Sequence, residues 1–546
     1  MRSGAWAGRV LSATAVAVTL MVGTGGCRTS ADDVHRWADT VQGPRKLVAV
    51  LTHSKYATDL RVEAAMTLIR MKPRRGKRIG IQGDDEHTGL VDALGELTPK
   101  ERAKIVAEMV PRLVAEMKKP PPKAQAGQPP PPDPSFPYKD AAFALLTDAD
   151  GALVTEEKHR AALKSALADW TTVDFARRAD ESSQMFGTEQ ILAFLKADGV
   201  RRLPELIKPD APKIDLMAKL VSELGDRQTK LEASKRLVVI ATDVNSENWV
   251  KRKSVDVDRA NKASKLNPTK RQFDAQLAQY QEEELLRVFS SMKRVGQAPV
   301  VDWLLKYAAD TKQTDKRRAA ALAALEGHID KNNKAQVDAI LKLARANDTP
   351  DEVRDQALRR VGEMPRKLVV NDLYGLFEHD NWKVRWMAAE LVLKMSDTSN
   401  VAEFMEQIGK IKDMALTEAW RYGSLLGGLK GNQKPAELAE KFAEPGHPVP
   451  ARLSALGYYF ENGSKADLPK ITRYQDDTAR TPQCKPGADG CEWRCTIGEG
   501  KSAETKDVTT VGEFVKYCVV PAVEKRKESD QKNKKKSESE KKGEKK

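Results

Sequence analysis

The sequence predicts an all-α chain built from helical hairpins stacked side by side. Three observations carry this. Aromatic residues make up only 6% of the 546 residues, while Ala, Leu, Lys and Glu, all good helix formers, are plentiful. Apolar residues recur at helical spacing, and long β-branched runs bounded by turns are scarce, so no sheet domain is expected. An Arg three residues before an Ala (Ser in one case) recurs at Arg318, Arg354, Arg385, Arg421 and Arg452, with separations of 36, 31, 36 and 31 residues. Two helices with short turns occupy about that length. Such a hairpin cannot bury its apolar flank alone, so it must stack on the next.

The N-terminus precedes this pattern. Arg2 and Arg9 give a positive start, Val10 to Val22 is a short apolar core, and Gly23, Gly25 and Gly26 lead to Cys27. The core is shorter than the roughly 20 residues needed to cross a bilayer. The layout resembles a bacterial lipoprotein signal. That resemblance implies removal of residues 1–26 and lipid on the thiol of Cys27. Arg28, where a retained inner-membrane protein would carry Asp, points to the outer membrane, facing the periplasm. A plain secretory signal and an uncleaved anchor are the alternatives.

Residues 27–117 are expected to be helical, as in RVEAAMTLIRM (61–71) and KERAKIVAEMVPRLVAEM (100–117). Proline density in 118–137 forbids a helix and favours an extended spacer, either between two domains or thrown out of one array. Helical pattern resumes over 138–300, interrupted by charged, irregular text at about 248–269. A long amphipathic stretch follows at 272–295, stopped by Gly296 and Pro299.

The clearest repeats fill 301–475: DTPDEVRDQALRRVGEM (348–364), HDNWKVRWMAAELVLKM (379–395) and GHPVPARLSALGYYF (446–460). Pro350 and Pro448 suit helix entry. The small Ala allows close helix approach, and Arg early in the second helix can reach an acid in the preceding turn, Asp348 or Asp380. On Asp348, Pro350, Val353 and Arg354, and on Asp380, Val384 and Arg385, the chain resembles the HEAT-repeat family; Arg61, Arg318 and Arg452 match in part. The resemblance implies an α-solenoid that binds other proteins, with these Arg and Asp residues serving as scaffold. Trp382 and Trp386, spaced i, i+4, share one helix face. Core packing competes with partner binding for them, as for Trp303, Tyr307, Trp420 and Tyr422.

A cysteine-bearing module is expected at 476–524. In an exported chain Cys484, Cys491, Cys495 and Cys518 read as two disulfides. Three pairings are open, and Cys484–Cys491 with Cys495–Cys518 is favoured; a zinc site is the alternative. Residues 525–546 hold eleven Lys or Arg against five acids and little that could pack, so a disordered tail is expected. The tail carries much of the net charge of +14.

No motif proposes chemistry. CTIGEGKS (495–502) lacks the first glycine of a phosphate loop. Asp148, Asp150, Gly151 and Glu157 resemble half a calcium loop, but Leu146 holds its first position. The acid pairs Asp84-Asp85 and Asp476-Asp477 read as solvated loop residues. The expected function is therefore a non-catalytic, lipid-anchored, exported scaffold for unidentified protein partners. No cofactor, metal or nucleic acid is expected. An envelope-polymer binder using the basic tail, and an enzyme without a recognisable motif, are the alternatives.

Overall fold

The computed structural model describes residues 29–526 except 75, 121–132, 179–187, 210, 212, 483–491 and 499–502. The leader, Cys27, Cys484, Cys491 and the tail beyond residue 526 lie outside the described residues. What is described is helical apart from one short hairpin of strands, and it forms two compact units, Met1–Arg202 and Leu203–Lys546.

The first unit contains α1 (Ala31–Trp37), α2 (Gly43–Thr52), α3 (Thr58–Arg70), α4 (Ile79–Gln82), α5 (Leu90–Glu96), α6 (Pro99–Met117), α7 (Phe136–Thr147), α8 (Glu157–Arg178), α9 (Thr188–Leu195) and α10 (Ala197–Val200). Thr98 caps α6 by accepting from the Glu101 amide, and Pro99 suits its first turn. The apolar stripe of α6 then buries Ile105, Val106, Met109, Val110 and Leu113. Helices on both sides of the proline-rich stretch belong to this one core: α6 packs on α7 and α8. The Trp170 indole N–H donates to Ser135 Oγ at 2.8 Å. The proline-rich stretch therefore leaves and re-enters a single unit.

In the second unit follow α11 (Ile214–Leu224), α12 (Arg227–Val244), α13 (Glu247–Ala263), α14 (Lys270–Val295), α15 (Ala298–Ala309), α16 (Asp315–Ala324), α17 (Lys334–Arg345), α18 (Asp351–Val361) and α19 (Arg366–Gly375). They continue with α20 (Trp382–Lys394), α21 (Val401–Ile408), α22 (Leu416–Gly427), α23 (Pro435–Ala443), α24 (Val449–Asn462) and α25 (Leu468–Thr472). The charged text expected to be irregular at 248–269 folds largely as α13. Ser246 caps it, and the pairs Arg259–Asp256 (3.4 Å) and Lys262–Asp258 (2.6 Å) support a helix with few buried residues.

The repeat arginine has a consistent job. Arg61, Arg318, Arg354, Arg385 and Arg452 are each the fourth residue of their helix and each is buried. Each donates to a carbonyl at the end of the preceding helical segment. The acceptors are Leu51 (2.7 Å), Ala308 (2.9 Å), Ala346 (2.8 Å), His379 (2.7 Å) and Ala443 (3.0 Å), respectively. These carbonyls lack helical partners and carry the negative end of the dipole, so a cation there satisfies both. The arginine latches the two helices of a hairpin together. Arg421 is not a member: it is the sixth residue of α22, whose fourth is Ala419.

The acids expected to meet this arginine differ from those observed. Arg354 contacts Asp351 (3.1 Å), one turn back on its own helix, and exposed Asp348 acts on it only through the longer-range field. Arg385 takes the Asp380 main-chain carbonyl, and the carboxylates meeting it are Glu418 and Asp413, from beyond the next turn. Arg452 pairs with Asp477, which thereby leaves the solvated loop expected for it. Burial opposes the Asp477 charge, but the bonds from Arg452 and the Ala479 amide hold its carboxyl below the usual range.

The C-terminal module holds β1 (Arg494–Ile497) and β2 (Glu504–Asp507), antiparallel with Cys495 opposite Lys506, then α26 (Val511–Phe514) running into a π-helical turn. Cys495 and Cys518 are bridged, tying the strand to the final helix. Trp493 donates its indole N–H to the Met414 carbonyl (3.1 Å) and meets Phe514 edge-on, so the module is seated on the hairpins.

Candidate functional site: an aromatic and arginine ledge

On α20, Trp382 and Trp386 lie on one face, as their spacing requires, and both are half-buried. Across from them Arg421 of α22 places its guanidinium carbon 4.4 Å from the Trp386 ring centre and 5.4 Å from that of Trp382. Both distances suit attraction between a cation and a π-face. One residue before Arg421, Trp420 lies parallel to Phe460 of α24, with centroids 4.9 Å apart and planes at 9°.

Glycine brings the latter pair together. A Cβ on Gly423 would fall 2.1 Å from the Gly457 carbonyl carbon, and one on Gly457 would fall 2.6 Å from the Ala419 oxygen. Helices α22 and α24 therefore cross backbone to backbone, a contact only glycine allows at both points. That approach lets Trp420 reach Phe460. Beyond them Trp420, Phe460, Cys495, Thr496, Tyr517 and Cys518 line an open groove of about 650 Å³.

The floor beneath the ledge is polar and closed. Glu418 is fully buried and receives Arg385 in two-pronged fashion, Nε at 2.8 Å and Nη2 at 2.7 Å. The Tyr422 hydroxyl donates to Glu418 at 2.5 Å, and the Ala415 amide donates to it at 3.1 Å. Burial beside this carboxylate pushes the Tyr422 hydroxyl far above its ordinary pKa. Sequence reasoning missed Glu418 and, with it, the acceptor of the Tyr422 hydroxyl. The available signal was Glu418 at the third position of α22, where a carboxylate reaches back to the Ala415 amide.

Tyr307 and Tyr422 are core residues, and the half-buried Trp303 donates to Thr242 Oγ1 at 3.0 Å. His379, before α20, accepts the Asn381 amide at Nδ1 (3.0 Å), while its buried Nε2 has no partner. Among the described residues no group of three or more His, Cys, Asp or Glu is placed to hold a metal ion. No described helix is long and apolar enough to cross a membrane. No protein-family model matches the chain, and no curated protein matches its sequence.

Proposed function

We propose that the chain is a non-catalytic scaffold whose hairpins stack as a HEAT-type α-solenoid and that it holds a protein partner on the Trp382–Trp386–Arg421 ledge. The single supporting observation is that ledge. Trp and Arg dominate the energetics of protein interfaces, and here three such side chains sit half-exposed on adjacent helices. The buried Arg385–Glu418 pair fixes the helices that carry them. In this reading lipid on Cys27 keeps the scaffold at a bacterial outer membrane, facing the periplasm. The module around Cys495–Cys518 closes the last hairpin.

Two experiments test the two halves. Cys27→Ser should move the chain from the membrane fraction to the soluble fraction; retention in the membrane would end the anchoring claim. Cross-linked complexes isolated from cells should disappear in a Trp386→Ala, Arg421→Gln chain that unfolds normally. Their persistence would show that the partner docks elsewhere.

A further inference from the structure

The turn between α13 and α14 breaks three local rules at once. Helix α13 ends with the Lys265 amide bonded to the Lys262 carbonyl (3.1 Å) and the Leu266 amide bonded to that of Asn261 (2.8 Å). In this helix stop the left-handed residue is usually glycine, and the next residue usually folds an apolar side chain onto the helix. Here the left-handed position is Lys265, with φ of 57°, a conformation a side-chain-bearing residue resists. Leu266 finds no apolar seat, because Asn261 occupies the matching place and bonds Gln276 (3.2 Å); Leu266 is 57% exposed. Finally, Lys270 and Arg271 open α14, where the helix dipole disfavours cations.

The turn is nonetheless well defined, since Thr269 and Gln272 form a capping box at the start of α14. Every residue from 262 to 272 is exposed. Lys262 is paired with Asp258. Lys265, Lys270 and Arg271 have no carboxylate partner among the described residues. Conflicts with local preference that gather in one short turn mark a place selected for something other than folding.

We infer that this apex is a membrane-contact tip for anionic phospholipid, with Leu266 entering the interface and Lys265, Lys270 and Arg271 meeting headgroup phosphates. An exposed leucine with exposed cations within five residues of it is the composition that binds the boundary between headgroups and acyl chains. An exposed six-residue turn offers too little area for a stable protein interface, which buries about 1,000 Å² or more. A lipid surface needs no matching shape. Lipid on Cys27 would keep the apex close enough for a weak contact to matter. In that respect the physiological role rests on the scaffold reading, but vesicle binding does not.

The test uses the full chain carrying Cys27→Ser, so that anchoring and apex are separated. Binding is measured to vesicles of phosphatidylcholine alone and of phosphatidylcholine with phosphatidylglycerol. The combined change Lys265→Gly, Lys270→Gln, Arg271→Gln should lower the phosphatidylglycerol-dependent partition on the order of a hundredfold. Leu266→Ser should lower it roughly five- to tenfold. Lys265→Gly alone should leave thermal stability unchanged or raised, because it relieves the left-handed lysine. Phosphatidylglycerol vesicles should also slow tryptic cleavage after Lys265, Lys270 and Arg271. Binding unaffected by these variants, or cleavage equally fast on both vesicles, would overturn the inference. So would equally strong capture of poly-glutamate that is lost in the apex variants, which would make the apex a general acid binder, or self-association lost in the same variants, which would make it an interface between copies.

Discussion

Two aromatic pairs with the same spacing have opposite fates. Trp303 and Tyr307 on α15 stack on each other at 4.9 Å, Phe289 of α14 meets Tyr307 edge-on at 5.4 Å, the indole N–H is held by Thr242, and Tyr307 is only 5% exposed. Trp382 and Trp386 on α20 have the same i, i+4 relation but keep open faces, and a cation covers them. In the first pair Tyr307 is buried and the half-buried Trp303 is held by Phe289 and Thr242. In the second the neighbour supplies Arg421, whose guanidinium lies over the rings and leaves them half-exposed. Spacing decides that two rings share a face; the chemistry of the next helix decides whether that face is core or contact surface.

The sharpest ways to break this contrast act on packing. Tyr307→Ala should cost about 3–5 kcal/mol in urea unfolding, as for a large buried aromatic. Glu418→Ala should cost a similar ~3–5 kcal/mol, because it leaves Arg385 buried without its carboxylate. An effect near zero for either would mean that these sites are not closed. Trp303→Phe keeps the ring but drops the bond to Thr242 and should cost about 1 kcal/mol. Arg421→Gln should cost only ~0.5–1 kcal/mol, the range for an exposed cation–π contact.

The smallest effect is a pH slope at His379. Burial, reinforced by Arg354 and Arg385, lowers its pKa below the ordinary value of 6.5. The native chain therefore holds it neutral, while the unfolded chain binds a proton as pH falls below that value. Stability should fall with pH from there down to the depressed native pKa. His379→Gln should flatten that part of the profile, and an unchanged slope would show that His379 is not its source.

Much of the helical layout was legible because apolar period and caps are local. The latch was legible as a spaced arginine, since its acceptors lie only six to ten residues back along the chain. Its acid partners were not: Glu418 lies far along the chain from Arg385, and no local rule links them. Arg421 entered the repeat on spacing alone, yet it sits two residues past the latch position and faces the tryptophans instead. Helix α13 was missed because its stripe buries only Trp249, Val257 and Asn261. The strands at Arg494–Ile497 and Glu504–Asp507 were missed because four residues carry too little periodicity. The ledge itself was half legible: Trp382 and Trp386 were visible as a pair, but the Gly423–Gly457 crossing that carries Trp420 to Phe460 is a tertiary fact.

The most direct test of the central claim compares Trp386→Ala with Trp303→Ala in the full chain, reading urea unfolding and cross-linked partner capture on the same samples. Trp386→Ala should abolish capture while shifting stability little, and Trp303→Ala should lower stability while the remaining folded protein still captures its partner. Capture that follows stability in both variants, or survives Trp386→Ala intact, would contradict the ledge as the contact surface.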